Sequence, residues 1–126
     1  MKKAVVSAKA PAAIGPYSQG VSAGDWVFVS GQLPLGLDGT LAEGAIQGQA
    51  ERCLLNLAAI LEAEGLGLGD VVKTTVYMTD LAQFSAMNEV YARYFKAPCP
   101  ARATVEVAAL PKGALVEIDA IASRSV

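Results

Sequence analysis

The chain has 126 residues, which predicts a single domain over residues 1–126. Apolar residues make up 53% of it and charged residues 17%, so the chain can form a core, unlike a disordered protein. It contains no histidine, which excludes Ser-His-Asp and Cys-His catalysis and histidine-ligated zinc. Its net charge of −2 disfavours nucleic acid as a main partner.

Hydropathy favours an oligomer over a membrane protein. The mean hydropathy of +0.39 indicates more apolar surface than one small core hides. No run of about 18 apolar residues occurs, so no membrane span is predicted. Lys9 and Pro11 interrupt the N-terminal apolar stretch before it resembles a signal peptide. Cys53 and Cys99 lie far apart and nothing in their spacing supports a disulfide, so we expect a reducing, cytoplasmic location.

Strands predominate in the first third of the chain. Residues 1–6 predict a first strand. Residues 17–22 lead to a turn at Gly24-Asp25, and the apolar segment 26–30 follows, which is the pattern of a β-hairpin. A glycine-rich loop then extends to about residue 44.

A helix and a strand follow this loop. Apolar residues recur at helical spacing over 45–64, and Gly65 is predicted as the C-terminal cap. Cys53 lies on the apolar stripe of this helix, where it is predicted to be core filler. Residues 71–79 predict a strand.

The last third predicts one more helix and two more strands. Asp80 is predicted to cap a helix that runs to about residue 95, with Gln83 as its capping-box partner. The strands are predicted at 103–107 and 114–123. The order β-β-β-α-β-α-β-β predicts an α+β fold with two helices on one face of a sheet.

The last strand has one apolar side and one mixed side. The apolar side, which should meet the helices, consists of Val116, Ile118, Ala120 and Ala122. The mixed side consists of Leu115, Glu117, Asp119 and Ile121. The same alternation groups Arg102, Thr104 and Glu106, and also Lys73, Thr75 and Tyr77. A mixed second face on every strand predicts a sheet that packs against sister subunits.

Several residues are suited to chemistry. Tyr17 follows a rigid Gly-Pro turn that would present its phenol, although a tyrosine packed at a strand start is the commoner arrangement. Ser30 precedes Gly31, which would let backbone groups approach a ligand, although a glycine more often simply ends a strand. Asn88 lies on the apolar stripe of the second helix with Phe84, Tyr91 and Phe95, so its amide either pins a loop or faces a polar pocket.

Arg102 and Glu117 form the fourth candidate. Arg102 enters its strand after a proline-bounded loop, and its guanidinium suits a bidentate grip on a carboxylate. A structural ion pair between Arg102 and Glu117 is the competing interpretation. The residues alone leave both interpretations open.

Along nearly its whole length the sequence resembles the RidA family, also called YjgF/YER057c/UK114. The segments that carry the resemblance are Ala12-Ala13-Ile14-Gly15-Pro16-Tyr17-Ser18-Gln19, Ser30-Gly31-Gln32, Val72-Lys73-Thr74-Thr75-Val76-Tyr77, Met87-Asn88-Glu89-Val90-Tyr91, Pro100-Ala101-Arg102 and Leu110-Pro111-Lys112-Gly113-Ala114-Leu115-Val116-Glu117-Ile118.

The resemblance implies a chorismate-mutase-like fold, a homotrimer around a barrel of sheets, and ligand clefts between subunits. It implies hydrolysis of 2-imino acids, such as 2-iminobutanoate and 2-iminopropanoate, to 2-keto acids and ammonia, with no cofactor and no metal. Endoribonuclease or translation-inhibitor activity, and a non-catalytic small-carboxylate-binding regulator, are the alternatives that we keep.

The resemblance also implies roles for particular residues. The catalytic residues would be Arg102, Glu117 and Tyr17. The substrate would be bound by Arg102, Ser30, Gly31, Asn88 and Thr104. Two positions depart from the family pattern, because Thr104 stands where the family often has cysteine and Asp119 stands where it often has glutamate.

Overall fold

The computed structural model describes residues 1–125, and within them it forms six strands and two α-helices in the predicted order. The strands are β1 Lys2–Val5, β2 Gly20–Ala23, β3 Trp26–Gln32, β4 Val71–Met78, β5 Ala101–Glu106 and β6 Val116–Ser123. The helices are α1 Ala45–Glu62 and α2 Phe84–Tyr94.

All six strands belong to one sheet, in the spatial order β1-β2-β3-β6-β4-β5. Neighbouring strands are antiparallel except β4 and β5, which run parallel and are connected through α2. The two helices pack on each other, and α1 packs on β3 and β6. The predicted α+β fold with two helices on one face is therefore confirmed, and β5 is an edge strand.

The core lies between the helices and this face of the sheet. The side of β6 predicted to meet the helices is buried, and the mixed side is partly exposed. The predicted apolar stripe of α1 is also buried: Ile46, Ala50, Cys53, Leu54, Leu57 and Leu61. Cys53 is core filler as predicted, since its thiol is buried and donates to the Val116 carbonyl oxygen at 3.6 Å. Both cysteines are free.

The local turn chemistry agrees with the sequence in one place and differs in another. Gly24, at φ 60°, forms the predicted turn between β2 and β3. Asp80 does cap, but its side chain accepts the N–H of Ala82 at 2.9 Å and begins a 3-10 turn, Leu81–Gln83. The predicted capping box with Gln83 is wrong, because α2 itself begins only at Phe84.

The orientation of β5 corrects a further expectation. Arg102 and Thr104 do share one side of β5, but they lie in register with Thr74 and Val76, whose side chains are buried on the helix side. Residues opposite each other in a parallel pair point to the same face of the sheet. Arg102 therefore lies on the helix side of the edge strand, and not on the mixed face that carries Glu117.

Buried amides hold the loops at the end of β3. Asn56, on α1 and 1% exposed, donates its Nδ2 to the carbonyl oxygens of Leu33 at 3.1 Å and Leu35 at 2.9 Å. Gln19 likewise accepts the N–H of Ser7 and donates to three carbonyl oxygens of the segment that follows β1. These amides fix two loops that have little regular structure of their own.

We expect Asn56→Ala to lower the free energy of unfolding by about 2–3 kcal/mol, because it leaves two carbonyl oxygens without their partner. Urea denaturation measures this change. Gln47→Ala, an exposed position on the same helix, is the matched control and should change the value by less than about 0.5 kcal/mol. An Asn56→Ala protein as stable as the control would contradict the role of this amide.

Candidate active site

Arg102 is held by α2 without an acidic partner. Its Nη1 donates to Oδ1 of Asn88 at 2.8 Å. Its guanidinium carbon lies 4.7 Å from the ring centroid of Tyr91 and 5.5 Å from that of Phe84. Among residues 1–125 no carboxylate lies within 4.0 Å of it. The guanidinium is therefore fixed by one amide and two aromatic faces, with donors left over for an anion.

Tyr91 forms a neutral wall for this guanidinium. Its hydroxyl shares a 2.7 Å hydrogen bond with Oγ1 of Thr74. Burial raises the pKa of Tyr91, and this effect outweighs the opposing effects of Thr74 and Arg102. Phe84, in contrast, is 37% exposed. The apolar stripe predicted for α2 therefore has a buried part, which includes Tyr91, and a more exposed edge at Phe84, which contacts Arg102.

Thr104 lies two residues beyond Arg102 on the same side of β5. Its Oγ1 is buried and has no hydrogen-bond partner among the described residues. The hydroxyl adds a polar atom beneath α2.

Glu117 lies on the opposite face of the sheet, against Gly31. A Cβ atom on Gly31 would overlap the Glu117 carboxylate, so any other residue at position 31 would displace this carboxylate from its present position. Burial, and then the negative charge of Asp119, raise the pKa of Glu117. Asp119 itself accepts from the N–H of Thr75 at 3.0 Å and from the hydroxyl of Tyr77 at 3.1 Å.

Tyr17 and Gly31 line a cleft of about 530 Å³. Tyr17 is 52% exposed, and its hydroxyl accepts the N–H of Ile14 at 3.2 Å, so the turn after Gly15 presents the phenol as predicted. The rest of the lining consists of Pro11, Ala12, Ala13, Ile14, Gln19, Gln32, Leu33, Leu35, Leu37, Asp38, Gly39, Pro111 and Lys112.

Ser30 has a different position from the other predicted residues. Its Oγ donates to the carbonyl oxygen of Ser18 at 2.6 Å, and its N–H donates to the carbonyl oxygen of Gln19 at 2.9 Å. Its hydroxyl proton is thus used to join β3 to the segment that carries Tyr17. Ser30 positions one wall of the cleft.

One chain therefore carries two half-sites. The first half-site consists of Tyr17 and Gly31, which line the cleft, and Glu117, which lies against Gly31. The second half-site consists of Asn88, Arg102 and Thr104. Glu117 on β6 is in register with Tyr77, and Arg102 on β5 is in register with Thr74. The two residues are therefore separated by two strand spacings across the sheet, about 9–10 Å, and by three residues along β4, about 10 Å, and they point to opposite faces. The intramolecular Arg102–Glu117 ion pair considered above is not formed.

Sequence reasoning did not identify some of the neighbouring groups as part of the site. The sequence pattern predicts Phe84 and Tyr91 only as members of the apolar stripe of α2, and Tyr77 only as a member of the mixed face of the sheet. The sequence does contain a pattern that links the aromatic pair to Asn88. Phe84, Asn88 and Tyr91 are spaced four and three residues apart, which places them on one helix face.

Within residues 1–125, neither a membrane-spanning helix nor a metal cluster adds to these two half-sites. No helix there is long and apolar enough to cross a membrane. No cluster of three or more Cys, Asp or Glu side chains suited to a metal ion occurs in that part of the chain.

Known proteins match this chain over nearly its whole length. The family model described as Endoribonuclease L-PSP matches residues 7–124. A 2-iminobutanoate/2-iminopropanoate deaminase from Bos taurus is 48% identical over 97% of this chain and 90% of its own length. A RutC family protein from Pyrococcus horikoshii is 49% identical over 97% of this chain and 98% of its own length.

A solved structure extends the match to three dimensions. The crystal structure of E. coli TdcF with bound serine is 46% identical, covers 97% of this chain and 98% of its own, and superposes with a TM-score of 0.92. The family match, the identities and this superposition together show that the chain belongs to the RidA (YjgF) family, as its sequence segments predict.

Proposed function

We propose that this protein hydrolyses reactive 2-imino acids, such as 2-iminobutanoate and 2-iminopropanoate, to 2-keto acids and ammonia. The observation that carries the proposal is the guanidinium of Arg102, which is fixed by Asn88 and two aromatic rings but has no acidic partner among the described residues. A fixed, unpaired guanidinium favours a small carboxylate as its ligand. Relatives named as deaminases of these imines, at 48% identity, support the choice of substrate.

The reaction needs an acid–base group and positioning. Arg102 binds the substrate carboxylate, and Glu117 accepts a proton from a water molecule as that water attacks the imine carbon. Starting from the protonated imine, Glu117 passes this proton to the amino group of the resulting carbinolamine. Glu117 then accepts the hydroxyl proton as the C=O bond of the keto acid forms and the C–N bond breaks, and ammonia leaves. Tyr17 and backbone groups near Gly31 and Thr104 orient the nitrogen. Positioning of an already electrophilic carbon is sufficient for a useful rate.

The two half-sites require a second copy of the chain. We propose a homo-oligomer, a trimer by the family resemblance, in which the first half-site of one subunit faces the second half-site of its neighbour. The mixed face of the sheet supports this arrangement, since it exposes Trp26, Phe28 and Val105 at 41–48% beside the carboxylates. A cytoplasmic location and the absence of a cofactor complete the proposal.

The function is tested by competition for the imine. A threonine dehydratase generates 2-iminobutanoate, and semicarbazide traps what is not hydrolysed. Added wild-type protein should suppress formation of the semicarbazone in proportion to its concentration. Unchanged trapping with imines derived from threonine, serine and alanine would overturn the proposed function.

Glu117→Gln separates an enzyme from a regulator that only binds small carboxylates. The variant should still bind a 2-keto acid, measured by calorimetry, but should no longer suppress trapping. A variant with wild-type suppression would remove Glu117 from the mechanism. The family description also names RNA cleavage. The lack of histidine and the net charge of −2 disfavour that activity, and incubation with single-stranded RNA tests it directly.

A further inference from the structure

Asp119 is the most firmly held carboxylate on the mixed face. Its Oδ1 accepts the N–H of Thr75 at 3.0 Å and its Oδ2 accepts the hydroxyl of Tyr77 at 3.1 Å, so both oxygens have a hydrogen-bond donor. It is half-buried in the middle of β6, two residues from Glu117 and on the same side of the strand. Neither the active-site proposal nor the family resemblance gives this side chain a task.

Glu117 differs from Asp119 in how it is held. No hydrogen bond or ion pair to its carboxylate is found within residues 1–125, although it is half-buried against Gly31. Side chains two residues apart on the same face of a strand lie about 7 Å apart. At this distance the negative charges of Glu117 and Asp119 repel each other in a partly buried environment. One carboxylate is thus anchored, and its neighbour is free to exchange a proton.

We propose that Asp119 is a positioning residue that tunes the basicity of Glu117 through its fixed negative charge. This inference rests on the proposed function, in which Glu117 takes the proton of the attacking water. A carboxylate kept near a second negative charge binds a proton more tightly, and it becomes a stronger general base than an isolated glutamate. The direction of the pKa of Glu117, raised by burial and then by Asp119, is consistent with this role.

The other titratable groups around Glu117 do not take over this role. From β4, Tyr77 and Lys73 face the same side; Tyr77 bonds to Asp119, and Lys73 donates its Nζ to Thr75 at 3.2 Å. From β3 the facing side chains are Trp26, Phe28 and Ser30, which carry no charge. Lys112 of the neighbouring loop donates to the carbonyl oxygen of Gly39 at 3.2 Å, and the Cys53 thiol lies behind the sheet on α1.

The proton affinity of Glu117 can be measured without any activity. Carbon-13 labelling of the Glu and Asp carboxyl groups, with the Glu117 resonance assigned through Glu117→Gln, gives its titration midpoint by NMR. Asp119→Asn keeps the shape of the side chain and removes its charge, so it should move this midpoint to lower pH. Asp119→Glu, which restores a charge, should return the midpoint toward the wild-type value.

Tyr77→Phe is the matched control, because it removes a hydrogen bond of Asp119 and leaves the charge in place. Its Glu117 midpoint should stay near the wild-type value. An unchanged midpoint in Asp119→Asn, or an equal shift in Tyr77→Phe, would overturn the inference. If Asp119→Asn does not fold, Asp119→Ser removes the same charge with a smaller side chain and decides the question in the same way.

Kinetics supply a second readout. The acid limb of kcat/KM should move to lower pH in Asp119→Asn together with the NMR midpoint. Above that limb the rate constant should fall about two- to threefold, since Glu117 is then a weaker base. An inactive wild-type protein would defeat the proposed function alone, because the titration of Glu117 still tests the coupling to Asp119.

Discussion

Arg102→Ala is expected to lower kcat/KM for 2-iminobutanoate by about 10²–10³-fold. Removing one partner of a desolvated charge pair costs about 3–4 kcal/mol, which corresponds to a loss of that size. The loss should not come from unfolding, because Arg102 lies on an edge strand and contributes one hydrogen bond and two aromatic contacts. We expect the free energy of unfolding to fall by only about 1 kcal/mol.

A second substitution and a control sharpen this prediction. Arg102→Lys keeps the positive charge but not the planar fork, so it should recover only part of the lost rate. Arg93→Ala removes a different arginine, from an exposed position on α2, and should leave kcat/KM unchanged. Activity of Arg102→Ala within about threefold of the wild type would mean that the guanidinium does not bind the substrate.

Periodicity in the sequence was enough to predict the fold but not the face of each strand. The alternation of β6 and the helical spacing of α1 correctly identify the buried residues, because each pattern has an apolar side that must be covered. Alternation on β5 shows only that Arg102 and Thr104 share a side. The apolar side of β5, formed by Ala101, Ala103 and Val105, is the exposed one. The face was decided by the parallel register of β5 with β4, which the sequence pattern does not contain.

For the candidate site, too, the sequence identifies the residues but not their arrangement in space. Tyr17, Asn88, Arg102 and Glu117 were all identified as candidates, yet nothing local to the sequence shows that Asn88 contacts Arg102 while Glu117 faces away from both. Those relations depend on strand order and on the crossover through α2. The role of Ser30 was also beyond the sequence, since its hydroxyl is used by the carbonyl oxygen of Ser18, a contact between two separate segments.

Mixed oligomers of Arg102→Ala and Glu117→Gln chains are expected to recover activity that neither variant has alone. The two residues lie on opposite faces of one sheet, so the proposed site combines Arg102 of one subunit with Glu117 of its neighbour. A mixed oligomer contains one interface with a complete site. There, the Glu117→Gln chain supplies an intact Arg102, and the Arg102→Ala chain supplies an intact Glu117. Co-expression with two different tags and tandem purification isolates these mixed species.

The recovered fraction also reports the number of subunits. A cyclic trimer with both chain types has one complete site in three, so about one third of the wild-type activity should return, whereas a mixed dimer would return about one half. Arg102→Ala chains that carry the two tags and are mixed only with each other form the control, which should stay inactive. Mixed oligomers as inactive as this control would overturn the shared site, because activity would then not depend on combining Arg102 of one chain with Glu117 of another.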